Sequence, residues 1–180
     1  MRKLLPALAL LTLAASATPL TASPMAAAQP SELAIPAEND WRDPPARRPP
    51  VGDAAQRAEQ LFTAILQDDP SLARDFFFPL EPFLVVKGIA DPRRYWEVLL
   101  RHYERDIHAL HGEIPAGATF DRLVMTRRGG WVDRREEANA VPYWASRHDW
   151  IYYRVDGAER RFELRTLINW GPRWYITHIR

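Results

Sequence analysis

Two patterns along the chain predict an α+β domain, with its helices gathered in one layer against a mainly antiparallel sheet. From residue 53 to residue 111 the apolar positions recur mostly at helical spacing. From residue 118 onward they alternate with period two, interrupted by turn residues. A sheet folded by hairpins keeps one apolar face, and the preceding helices are what can cover it. At 180 residues the chain has room for one domain of ordinary size.

The first 28 residues read as a secretory signal peptide outside that domain. Arg2 and Lys3 give a basic start, Leu4 to Ala15 an apolar run, and Ala26-Ala27-Ala28 a small-residue cleavage site. The apolar run is too short for a bilayer core that needs about 20 helical residues, so no membrane anchor is expected. The implied destination is the periplasm or beyond. There is no cysteine, so no disulfide framework can form and the fold must be held by its core. Without Arg2 and Lys3 the 24 basic residues become 22 against 23 acids, a net charge of −1. Arginine pairs such as Arg127-Arg128 and Arg160-Arg161 have acids close by. A mixed-charge surface, not a nucleic-acid footprint, follows from that.

Residues 29–52 carry prolines at 30, 36, 44, 45, 49 and 50. Proline removes a backbone donor, so this stretch reads as an extended, disordered linker with Trp41 as its one large apolar group. Asp53, with Gln56 three residues on, has capping-box spacing. Ala54, Ala58, Leu61, Phe62, Ile65 and Leu66 then share one face of a first helix. Asp69-Pro70 starts a shorter helix through Phe77 by the cap-then-proline device. Phe83 to Lys87, bounded by prolines and a glycine, reads as one strand. Asp91-Pro92 repeats the cap-then-proline start, and Gly112 supplies a stop, which predicts one long helix over residues 92–111. The segments "ATFDRLVMT", "DWIYYRV", "RRFELRTLINW" and "RWYITHI" read as strands. Asp156-Gly157 makes the favoured hairpin turn, and Gly171-Pro172 another turn. The stretch 127–146 is long for a connection, which often marks a functional loop.

The order helix, helix, strand, long helix, sheet, closed by the hairpin "LRTLINWGPRWYITHI" with its Trp174-Tyr175-Ile176 ending, resembles the NTF2-like superfamily. The resemblance covers residues 53–180. It implies three helices packed on a curved, mainly antiparallel sheet of about four to six strands, wrapped into a cone. That superfamily includes ketosteroid isomerases, dehydratases and epoxide hydrolases, and many members without catalysis. It therefore leaves function open.

On the long helix, Tyr95, Leu99, Tyr103, Ile107 and Leu110 form an apolar face, with Trp96 and Leu100 beside it. Glu104, His108 and His111 have spacings that reach one metal ion in principle. They lie among Arg101 and Arg105, however, on what reads as a solvated face, and no metal or other cofactor is expected. His102 and Asp106 are different, because Asp106 falls inside the apolar stripe, where a carboxylate must find a partner. They are the candidate catalytic residues, an imidazole base oriented by a carboxylate. The structural alternative has Asp106 accepting from Arg165 or Tyr153. Tyr95, Tyr103, Tyr153 and Arg165 are the candidate ligand-binding residues of a cone pocket. His178, on the last strand, reads as a core histidine.

The leading expectation is non-catalytic binding of a small apolar or mixed ligand, or of an envelope protein. One alternative is a pocket acid–base enzyme of isomerase, dehydratase or hydrolase type. Another is a cell-envelope interaction module using the proline-rich segment. The open face of the sheet is a possible homodimer surface.

Overall fold

The computed structural model describes residues 33–180, and the expected signal peptide lies outside them. The described chain is α+β, with four helical segments of seven residues or more and a curled five-stranded antiparallel sheet. Helix α1 spans Ala54–Gln67 and buries Ala54, Ala58, Leu61, Phe62 and Ile65, the face its periodicity predicts. Asp53 does not form the expected capping box. Its carboxylate accepts from the guanidinium groups of Arg57 and Arg173 instead. A short 3-10 segment, Pro70–Phe76, follows the Asp69 cap, whose Oδ1 accepts from the Ser71 N–H at 3.0 Å.

The fourth helical segment stands where a strand was expected. Helix α2 spans Leu80–Val86, with Pro79 as its N-cap residue and Pro82 in its first turn. Both prolines preset a helical start that lacks N–H partners anyway. The paired Val85-Val86 imitated a strand, but Phe83 and Val86, three apart, are what the segment buries. Helix α3 spans Pro92–Glu113, with the Asp91 side chain accepting from the Arg94 N–H at 3.0 Å. Gly112 lies inside its last turn, so the helix runs past the expected stop and ends at Ile114, just before Pro115.

The sheet comprises β1 Thr119–Val124, β2 Gly129–Val132, β3 Tyr143–Val155, β4 Ala158–Trp170 and β5 Arg173–His178, in the order β1-β3-β4-β5. Strand β2 pairs with the first residues of β3, through Trp131↔Trp144 and Gly129↔Ser146. It lies in the stretch read as an irregular loop. Gly129 permits this close pairing: its φ is +101°, and an added Cβ would sit 2.3 Å from the Ala145 carbonyl oxygen. Phe162, Leu164, Thr166 and Ile168 of β4 share the face that meets the helices, where Tyr153 links Phe62 of α1 to Phe162.

The opposite face of β4, with Leu167 and Asn169 fully buried, is covered by the proline-rich segment. Asn39 is 0 % exposed. Its Nδ2 donates to the carbonyls of Pro142 (3.0 Å) and Asn169 (3.3 Å), and its Oδ1 accepts from the Gly171 N–H. Arg48 donates to Thr126 O and Ser146 Oγ and lies 4.7 Å from the centre of the Trp174 ring, whose Nε1 donates to Pro50 O. Residues 33–52 are thus a strap on the back of the sheet and not a disordered linker. The prolines help here, because they leave few backbone donors to satisfy on an apolar surface. Trp41 remains 38 % exposed, flanked by the guanidinium groups of Arg42 and Arg134.

Candidate functional site

Between α2, α3 and the helix-facing side of β3, β4 and β5 lies a cavity of about 420 Å³. Its apolar wall is built from Phe83 and Ile89, from Tyr95 and Leu99 of α3, and from Ile168 of β4. The wall exists because α3 presents one residue per turn toward the sheet while the β4 even positions face back. The Phe83 and Tyr95 rings meet at 5.7 Å.

The other end of the cavity is polar. Lys87, just after α2, donates to Asn139 Oδ1 at 2.7 Å and to the Glu137 carbonyl at 3.1 Å. The Glu137 carboxylate accepts from the Tyr143 hydroxyl at 2.7 Å and from the Arg147 guanidinium. Glu137 is brought here by a tight loop in which Arg135, Glu137 and Ala138 all have positive φ. Non-glycine residues held in this region carry strain of order 1–3 kcal/mol each, and such strain persists where surrounding bonds fix it. Here the Gly88 N–H to Ala138 O bond and the Arg135 N–H to Asn139 O bond do so.

Lys87, Tyr143 and Glu137 are each shifted in a direction their neighbours explain. Burial pulls the Lys87 ammonium below its ordinary range, with Glu137 partly opposing. Burial pushes the Tyr143 hydroxyl up, and its bond to Glu137 pushes the same way. Burial acts to raise Glu137, but the Tyr143 bond and the charges of Arg147 and Lys87 outweigh it, so the carboxyl is held low and ionised.

His178 also lines the cavity, beside Thr166 and Thr177. Burial lowers its pKa, Arg165 and His102 lower it further, and Asp106 and Lys87 act in opposite senses, raising and lowering it. In the unfolded chain His178 takes up a proton near its ordinary value of 6.5, while in the folded protein it resists. The folded state binds fewer protons, so this histidine removes stability as pH falls below 6.5 toward its folded pKa. Urea midpoints measured between pH 7.5 and 5.5 should decline less steeply for His178→Gln than for the parent protein.

Of the candidate catalytic and ligand-binding residues, Tyr95 lines this cavity and His102, Asp106, Tyr103, Tyr153 and Arg165 do not. His102 is exposed on α3. Asp106 is buried as its position in the apolar stripe predicts, but its partners are neither His102 nor Arg165 nor Tyr153. Its Oδ2 accepts from the Arg180 backbone N–H, and its Oδ1 from the Arg105 guanidinium, both at 3.2 Å. The carboxylate therefore ties α3 to the end of the chain, and no His102–Asp106 dyad faces the cavity. Tyr103 is a core residue whose hydroxyl donates to Ala73 O at 2.9 Å. Tyr153 packs against Phe62 and Phe162, and Arg165 is exposed beside Glu163 and Arg180.

The helix face carrying Glu104, His108 and His111 is likewise put to structural use. His108 Nδ1 lies 2.5 Å from Asp68 Oδ1, and His111 Nδ1 lies 2.9 Å from Ile65 O, both at the C-terminal end of α1. Among the described residues no group of three or more His, Cys, Asp or Glu is placed to hold a metal ion.

Sequence reasoning missed Lys87, Glu137, Tyr143 and Arg147. Two signals pointed toward them. Lys87 is the only lysine after Lys3, and residues 127–146 form an unusually long connection between recognisable strands. Comparison of the chain with protein-family models, with curated proteins and with solved structures found no match.

Proposed function

We propose that this chain is an exported NTF2-like domain that binds a small, partly apolar molecule in the cavity between α3 and the sheet, without performing chemistry on it. The observation that carries this reading is the cavity itself. Its volume of about 420 Å³ falls within the range of about 300–1,000 Å³ usual for ligand pockets, and it combines an apolar wall with a few convergent polar groups. Binding rather than catalysis is favoured because Glu137, Tyr143 and Lys87 are already engaged with one another's neighbours. The strap on the back of the sheet is also docked, which disfavours the envelope-module reading that needs it free.

A thermal-shift screen with hydrophobic metabolites should raise the melting temperature by several degrees for some member at a hundred times its Kd. Ile89→Trp, which places a large ring at the cavity wall, should abolish that shift while leaving the unliganded melting temperature nearly unchanged. A flat screen, or a shift that survives in Ile89→Trp, would overturn the reading. A second reading, acid–base chemistry, is favoured only by His178, a cavity imidazole kept neutral by its surroundings. It requires that His178→Gln abolish turnover of a bound compound without abolishing its binding.

A further inference from the structure

We propose that the occupant of this cavity is an amphipathic carboxylic acid, held by its carboxylate at Lys87 and Arg147 with its apolar body along Phe83, Tyr95, Leu99 and Ile168. This rests on the ligand-binding reading and names the chemical class that the cavity selects.

The hydrogen-bonding capacity left at the polar end selects the ligand class. Glu137 has both carboxylate oxygens engaged, one by Tyr143 and the other by Arg147. The Lys87 ammonium has three N–H donors, of which Asn139 Oδ1 and Glu137 O take two. Arg147 directs one nitrogen at Glu137 and has further donors in its planar fork. The unspent donors at the polar end are therefore cationic. Charge points the same way. Two cations and one carboxylate line this end, and His178 is kept neutral by burial and by the nearby Arg165 and His102. The net charge of the lining is +1, which one carboxylate neutralises. An amine would meet two cations and a single carboxylate whose charge Arg147 already pairs. A guanidinium fork is also the group best matched to a planar carboxylate.

The apolar wall explains why a small inorganic anion is not the match. Phe83, Tyr95, Leu99 and Ile168 offer nothing to such an ion, and an occupant confined to the polar end would leave that surface facing water. A molecule with a carboxylate at one end and a hydrocarbon or aromatic body satisfies both ends.

The test uses matched probes on the full chain: decanoate and 2-naphthoate, their uncharged counterparts decanamide and 2-naphthamide, and decylamine, each titrated calorimetrically. The acids should bind about tenfold or more tightly than the amides, since hydrogen bonds to charged partners are the stronger ones. Lys87→Met and Arg147→Met should each remove most of that preference, weakening the acids more than the amides. Lys87 braces the Glu137 loop, so a readout without substitution is included. Labelling with ε-13C-lysine leaves every N–H donor in place and marks only Lys3 and Lys87. The Lys87 ε-carbon signal should move further on adding decanoate than on adding decanamide.

Acids and amides binding equally would overturn the carboxylate inference and leave the ligand-binding reading standing. Tighter binding of decylamine would overturn it in favour of a cationic ligand at Glu137. Binding by none of the five probes would also overturn it, and the ligand-binding reading would fall with it only if the wider metabolite screen were flat as well.

Discussion

Replacing Arg57 with alanine is expected to lower the unfolding free energy by about 3–5 kcal/mol, the sum of orphaned carbonyls and a large-to-small cavity. Arg57 is only 4 % exposed, although it lies in the first turns of α1, where an arginine would ordinarily reach into water. Its guanidinium joins three parts of the fold: it donates to Asp75 O in the 3-10 segment, to Trp174 O on β5 and to the Asp53 carboxylate before α1. It also lies 5.0 Å and 4.8 Å from the centres of the Phe76 and Tyr175 rings, where a desolvated cation gains further from the ring faces. Alanine would leave the two carbonyls without donors inside the packed layer. Asp53 would suffer least, because it is partly exposed and keeps Arg173. Urea denaturation followed by tryptophan fluorescence is the measurement. Arg57→Lys should fall between the two, since an ammonium keeps the charge but cannot reproduce the planar fork. A loss below about 1 kcal/mol for alanine would show that the guanidinium is not what joins these elements.

The parts of the fold that were legible in the sequence are those encoded by neighbours along the chain. Asp69-Pro70, Asp91-Pro92 and Asp156-Gly157 start two helical segments and turn a hairpin as their local chemistry dictates, because the bonds they make span two or three residues. Misreadings arose where the deciding contact is distant. Residues 83–87 read as a strand, whereas Pro79 and Pro82 start a helix there and Phe83 packs against the distant ring of Tyr95 as well as Phe78. The strap was invisible because Asn39 meets partners 103 and 130 residues away, and nothing in a proline-rich stretch announces that.

The site divides along the same line. Asp106 was recognisable as a carboxylate in an apolar stripe, and its burial follows from that position. Its partner is a backbone N–H at Arg180, which has no side-chain signature to find in a sequence. The polar end of the cavity draws Lys87, Glu137, Tyr143 and Arg147 from separate segments, and Glu137 reaches it only through left-handed backbone at a non-glycine residue. Residue type gives little warning of such a conformation, because glutamate rarely adopts it unless tertiary bonds hold it there.

Asn39→Ala is expected to cost about 2–4 kcal/mol, although it removes a small side chain from a segment that reads as a linker. The side chain is fully enclosed and bridges three backbone groups: the carbonyls of Pro142 and Asn169 and the N–H of Gly171. Those groups come from the approach to β3, the end of β4 and the turn before β5, so one amide joins three strand ends. Without it a donor and two acceptors are left in a place water does not reach, and each unsatisfied group costs about 1–3 kcal/mol unless the strap shifts. Asn39→Asp separates the two halves of the amide: the acceptor for Gly171 remains, both donors are lost and a charge is buried, so its cost should equal or exceed that of alanine at neutral pH. Hydrogen exchange at the Gly171 amide gives the local readout, and it should accelerate in Asn39→Ala and less in Asn39→Asp. Removing residues 33–50 altogether should destabilise at least as much, since Trp174 would lose its cover along with the Asn39 and Arg48 bonds. A segment that contributed nothing to the fold would leave these measurements unchanged, and that outcome would show that residues 33–52 do not brace the sheet.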